Sequence, residues 1–308
     1  MSTLKVDSIE NSGSTVNFTT NVQVGNGFAK REYTSSASAP AGANNGALWW
    51  DTGNEVLKIN IIGVWYEVSA TPPPPPFAGS RGLFGGGDSG VIDNVIDYVT
   101  IATPSNAIDF GDLTVARKNI ASCSNGTRGL FGGGSTGSVS DVIDYVTIAT
   151  TGNATDFGDL TVARQGLASC SNGTRGLFGG GYGSDFSNVI DYVAISTTGN
   201  ATDFGDLTVS RLGLTACSNG TRGLFGGGNN NNEIDYVTIA APGNATDFGD
   251  LTSARRDAGS CSNGTYGLWG GGIGSNVIDY VTIATAGNAI DFGDLTAARN
   301  GSAACSGD

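Results

Sequence analysis

The chain has 308 residues, of which 50 are Gly, 8 are Pro and none is His, with 14% charged side chains and a net charge of −13. That much glycine disfavours long helices, the acidic balance argues against nucleic acid and anionic membrane as partners, and the lack of His removes the commonest general base and metal ligand. No apolar run is long enough to span a bilayer, and the opening "MSTLKVDSIENSG" has no secretory hydrophobic region, so the expectation is a soluble chain made in the cytosol, with no membrane insertion.

Residues 1–70 read as a small β-rich segment. "TLKVDSIENSGSTVNFTTNVQVGN" gives short alternating strands broken by Asn-Ser-Gly and Gly-Asn-Gly, and "GALWWDTGNEVLKINIIGVWYEVSA" gives a β-meander with turns at 51–54 and near Gly63. Trp49, Trp50, Trp65 and Tyr66 are more aromatic surface than so short a segment buries alone, so they form a local core or an interface, which coincide in a small trimer. Residues 71–80 follow as a linker, in which Pro72 to Pro76 make a stiff polyproline II spacer. The stretches "MSTLKVDSIENSGSTVNF" and "ALWWDTGNEVLKINIIGVWYEV" resemble the start of tailed-bacteriophage fibre proteins. That resemblance implies a virion-anchored, homotrimeric attachment segment carrying a distal head.

Residues 81–308 repeat themselves. "RGLFGGG" starts at Arg81, Arg128, Arg175 and Arg222 and returns as "YGLWGGG" at Tyr266. "IDYV" then follows at Ile96, Ile143, Ile190, Ile234 and Ile278, and "DFGDLT" at Asp109, Asp156, Asp203, Asp247 and Asp291. Each unit continues through an arginine (Arg117, Arg164, Arg211, Arg255, Arg299) to a cysteine (Cys123, Cys170, Cys217, Cys261, Cys305). Five copies at a period of forty-odd residues, each readable as four short strands, predict an all-β chain whose repeats form a five-bladed β-propeller. The double glycine, the tyrosine, the outer aromatic (Phe110, Phe157, Phe204, Phe248, Phe292) and the arginine before the innermost strand resemble kelch repeats, which usually carry Trp at the outer aromatic. The first copy lacks a preceding "ASCS"-like strand and the last ends with one. C-terminal strand closure follows, with "RNGSAACSGD" pairing to residues 82–87 and Asp308 beside Ser80 and Arg81.

Repetition also weighs against chemistry. A glycine run seen five times, with no helix or Lys-Ser/Thr after it, is a packing device and not a phosphate cradle. The recurring Asp and Arg read as turn caps and ion pairs, and the cysteines as small buried hydrophobes in preference to a metal-binding thiol ring. No Asp or Glu is both unique to one blade and embedded in an otherwise distinctive stretch. The expectation is therefore no catalytic residue, no metal, no cofactor and no enzyme; the absence of His also excludes the His-ligated copper chemistry of kelch-type sugar oxidases.

The copies disagree in two places. The linker between "GGG" and "IDYV" changes in every unit, and so does the pair after each arginine: Lys118-Asn119, Gln165-Gly166, Leu212-Gly213, Arg256-Asp257 and Asn300-Gly301. Both loops should emerge on one face, opposite a face of near-constant turns. This variable face is either a recognition surface or a set of unconstrained solvent loops. As a recognition surface it would place ligand contacts at Tyr182, Asp185 and Phe186, with Asn229, Asn230, Asn231, Asn232 and Arg256 around them, a set suited to a sugar. The combined expectation is a virion protein synthesised in the host cytoplasm. It is a tail fibre or appendage held to other virion proteins by its N-terminal segment, whose head binds a host-surface glycan or receptor. The alternatives are a capsid or tail decoration protein and a glycan-cleaving enzyme.

Overall fold

The computed structural model describes residues 9–12, 15–18, 22–24, 27–29, 33–36, 38, 48–51, 56–61, 64–67, 81–229 and 231–305. The chain divides into two compact units, Met1–Pro75 and Pro76–Asp308. In the first, β1 (Ile9–Ser12) pairs with β2 (Thr15–Phe18) and β3 (Val22–Val24) with β4 (Gly27–Ala29). A further sheet runs β5 (Tyr33–Ser36), β6 (Leu48–Asp51), β7 (Val56–Ile61), β8 (Val64–Glu67). Strands β6 to β8 form the expected meander, and β5 adds to β6 in parallel, a pairing that the local alternation did not reveal.

The second unit is a β-propeller ring of five antiparallel blades with no helix among the described residues. Blade 1 contains β9 (Arg81–Asp88), β10 (Ile92–Thr100) and β11 (Ile108–Asp112). Blade 2 contains β12 (Ala121–Ser124), β13 (Arg128–Gly132), β14 (Val142–Thr147) and β15 (Thr155–Asp159). Blade 3 follows with β16 (Ala168–Ser171), β17 (Arg175–Gly179), β18 (Val189–Ala194) and β19 (Thr202–Asp206). Blade 4 has β20 (Thr215–Ser218), β21 (Arg222–Gly226), β22 (Glu233–Thr238) and β23 (Thr246–Asp250). Blade 5 has β24 (Gly259–Ser262), β25 (Tyr266–Gly270), β26 (Val277–Thr282) and β27 (Ile290–Asp294). The "ASCS"-type strand is innermost in blades 2 to 5 and "DFGD" outermost in all five, as the repeat implies.

The glycine triplet shows why the sequence repeats. Its first glycine lies under the aromatic ring of the next blade. A Cβ at Gly132 would come within 2.7 Å of Phe178, and the same relation joins Gly85 to Phe131, Gly179 to Phe225 and Gly226 to Trp269. These aromatics are almost wholly buried, and burying each stabilises the junction by roughly 2–3 kcal/mol. The second glycine turns the chain out of the strand with positive φ, 67° at Gly133. The run is therefore a socket and a turn.

The inner strands are stitched around the axis by serines. The hydroxyls of Ser169, Ser171, Ser218, Ser260 and Ser262 each donate to a carbonyl of the preceding inner strand, at 2.6–2.9 Å. Each glycine at the second position of β17, β21 and β25 faces the cysteine thiol of the preceding blade, as Gly176 faces Cys123. Only small side chains fit there.

The C-terminal segment takes the fifth axial place. Residues 302–304 lie against Gly259, and Ala304 and Cys305 line the axial cavity together with the other four inner strands. Among the described residues strand β9 is hydrogen-bonded to β10 alone, and residues 302–305 form no ladder with it. Asp308 and Ser80, expected side by side, lie outside the described residues.

Candidate binding face

The recurring Asp and Arg hold each crossover to the blade it enters. Arg164 Nη2 donates to Asp191 Oδ2 at 2.6 Å and Nη1 to the carbonyls of Gly180 and Val189, while Thr161 Oγ1 donates to Asp191 Oδ1. The ion pair recurs between Arg117 and Asp144, Arg211 and Asp235, and Arg255 and Asp279, with Arg211 Nη1 donating to the Glu233 carboxylate. Arg128, Arg175 and Arg222 stack on Tyr145, Tyr192 and Tyr236 and donate to carbonyls of the following blade. Asn153, Asn200, Asn244 and Asn288 likewise accept backbone amides from the preceding blade. These polar groups are committed to architecture.

The two variable loop families do share a face. The residue after the buried arginine pairs with the linker of the same blade: Lys118 with Ser135, and Gln165 with Tyr182 in both directions at 2.8–2.9 Å. Around the axis on this face runs a chain of backbone bonds. The amide of Gly166 donates to Asn119, that of Gly213 to Gly166, that of Asp257 to Gly213 and that of Gly301 to Asp257. All five of these residues have φ between 55° and 68°. Only Gly, Asn and Asp occupy that region cheaply, so the second residue of each variable pair is fixed by geometry. Freedom belongs to the first residue alone: Lys118, Gln165, Leu212, Arg256 and Asn300.

The structure gathers Tyr182, Asp185 and Phe186 into one tight loop. Tyr182 and Phe186 pack edge to face with centroids 5.6 Å apart, Asp185 Oδ1 accepts the Phe186 amide at 2.8 Å, and Phe186 is 45% exposed. Gln165 ties this loop inward and also accepts from Asn119 Nδ2 at 3.1 Å. Asn229 stands at φ 49° and donates its amide to the Leu212 carbonyl. Asn231 is occupied internally, with Oδ1 accepting the Glu233 amide and Nδ2 donating to Glu233 Oε2, and Asn232 accepts from Leu251 through its carbonyl. Asn230 lies outside the described residues. Arg256 is part-exposed with Nε 3.6 Å from Asp257 Oδ2.

Two features of this face escaped sequence reasoning. Strands β9 and β10 are longer than their counterparts, and their hairpin lifts Val91 into solvent at 76% exposure. At its base Lys118 Nζ lies 2.5 Å from Asp88 Oδ2. Bonding from Lys118 and from the Gly90 amide holds that carboxyl below its ordinary range.

Beneath the rim, Ala121, Leu167, Leu214, Thr215 and Ala303 line a cavity of about 200 Å³. Deeper in, serines and all five cysteines line another of about 250 Å³. The cysteines form no disulfide. Burial pushes the Cys217 thiol up to about 12 and raises the Cys170 thiol well above the ordinary range, so at neutral pH they are neutral thiols, poor nucleophiles and poor metal ligands.

The expected anchor residues fall on strands of the first unit: Trp49 opposite Lys58, Trp50 opposite Leu57, Trp65 opposite Asn60 and Tyr66 opposite Ile59. Their side chains lie outside the described residues. Compared with known proteins, the sequence matches no protein-family model and no curated protein.

Proposed function

We propose that the propeller head is a binding module whose variable face recognises a host-surface glycan, as part of a bacteriophage tail fibre or appendage. In this reading the N-terminal segment joins the head to other virion proteins as a homotrimer, and the propeller is of kelch type. One observation carries the glycan reading: Phe186, braced edge-on by Tyr182, offers a half-exposed ring beside the Asp185 carboxyl, the pairing of stacking surface and acceptor that a sugar ring uses. A binding role is favoured over a catalytic one because the buried carboxylates, Asp144, Asp191, Asp235 and Asp279, are each saturated by an arginine and a threonine.

A second reading, a decoration protein packed against virion neighbours, draws support from Ile108 and Ile290. These exposed outer-strand residues occupy the position that is Thr in the three middle blades. The experiment is a glycan array and host-cell binding assay with the full chain. Binding that falls at least tenfold in Phe186→Ala supports recognition at this loop. Undiminished binding in that variant moves the site elsewhere, and no binding at all favours decoration.

A further inference from the structure

Arg256 stands apart from the other arginines of the propeller. Each of the others in residues 81–305 donates at least one hydrogen bond. Arg256 donates none among the described residues. Its ion-pair contact, Asp257 Oδ2, lies 3.6 Å from an Nε that is buried without a hydrogen-bond partner, while the side chain as a whole is 41% exposed. The Thr215 hydroxyl is in the same condition: Oγ1 is buried and unpartnered, at a position that is Ala121, Ala168, Gly259 and Ala303 in the other units.

Both groups belong to one corner of the variable face, where blade 4 meets blade 5. The first residue of each variable pair leans over the rim residue of the preceding blade. Gln165 accepts from Asn119 Nδ2 at 3.1 Å, a Cβ on Gly166 would stand 3.3 Å from Leu212, and one on Gly213 would stand 3.3 Å from Arg256. Arg256 therefore sits at the mouth of the axial cavity, over the glycine that leads through Leu214 into Thr215.

The cavity beneath, of about 200 Å³, is walled mainly by methyl and methylene groups of Ala121, Leu167, Ala168, Leu214 and Ala258. The serine hydroxyls in that wall are committed: Ser169 donates to the Ser122 carbonyl, Ser260 to that of Ala216, and Ser302 to that of Gly270. Thr215 and Arg256 are thus donors left without acceptors, one in the wall and one at the mouth. Donors so placed match an anionic acceptor, and a guanidinium binds a carboxylate by strong paired bonds. An apolar cavity of roughly 150 Å³ holds a benzene ring, so this one has room for a ring-sized body as well.

We propose that the axial cavity is a second binding site of the head, distinct from the Phe186 loop, for a small carboxylate with a compact apolar body. Arg256 grips the carboxylate at the mouth, and Thr215 turns about χ1 to donate to it. The body lies across the axis against Ala121, Leu167 and Ala168.

Isothermal titration calorimetry of the full chain with benzoate tests this. The measurement needs no glycan, so its outcome is separate from that of the array. Benzoate should bind saturably and at least about tenfold more tightly than benzyl alcohol, which keeps the ring and lacks the charge. It should also bind at least about tenfold more tightly than glucuronate, which carries the carboxylate on a polar body. Arg256→Gln should weaken benzoate at least about tenfold. Thr215→Ala, which installs the residue of blades 2 and 3 and so keeps the fold, should weaken it about threefold or more. Absence of saturable benzoate binding overturns the site, and so does unchanged affinity in Arg256→Gln. Equal affinity for benzyl alcohol overturns the requirement for charge, equal affinity for glucuronate overturns the apolar body, and unchanged affinity in Thr215→Ala overturns the role of that hydroxyl.

Discussion

Arg164 and Asp191 meet at 2.6 Å with both side chains fully buried, and the contact recurs three more times around the ring. Removing one partner strands the other charge in a low-dielectric interior. Arg164→Met should therefore cost about 3–5 kcal/mol, measured by urea unfolding. Arg128→Met, at a part-exposed position, should cost about 1 kcal/mol. Equal losses in the two variants would contradict the anchoring role given to the buried arginine.

Phe178 fits over Gly132 so closely that a Cβ there would stand 2.7 Å from the ring. Gly132→Ala should destabilise by about 1–3 kcal/mol through overpacking, and Phe178→Ala by about 3–5 kcal/mol through the cavity it leaves. Combined, the two should cost less than their sum, since the new methyl enters the vacated space. A double-mutant cycle in denaturant reads the coupling.

Asp257 holds φ 57° in the rim chain. Asp257→Ala should cost about 1 kcal/mol, because alanine tolerates that conformation poorly, and Asp257→Gly should stay within about 0.5 kcal/mol. Arg256→Ala beside it has no such backbone demand and should leave thermal stability near wild type.

The buried thiols set an alkaline limit. Cys217 titrates near 12 in the fold against 9.0 ordinarily, so the folded state holds its proton more tightly than the unfolded chain. That contribution is fully present below pH 9 and is lost as pH rises from there toward 12. Stability measured in denaturant should fall above pH 9, at a limiting slope of about 1.4 kcal/mol per pH unit for this thiol, and Cys217→Ala should flatten the slope.

The architecture was legible because the blade is written out five times: the phase of "RGLFGGG", "IDYV" and "DFGD" orders the strands, and small residues around each cysteine mark the axis. The binding face was legible only in part. Tyr182 and Phe186 stood out as aromatics in a linker, and they do form one unit. The rim was misread as wholly variable because Asn119, Gly166, Gly213, Asp257 and Gly301 look unrelated as side chains, although all tolerate positive φ. The duties of Asn231 and Asn232 follow from turn geometry that composition does not encode.

The account rests on five repeats wrapping one axis, with variable loops on a single face. Electron microscopy of the full chain measures this directly. Averages of the head should show a five-lobed disc about one small central hole. An extended row of lobes, or a ring assembled from repeats of different chains, would contradict it.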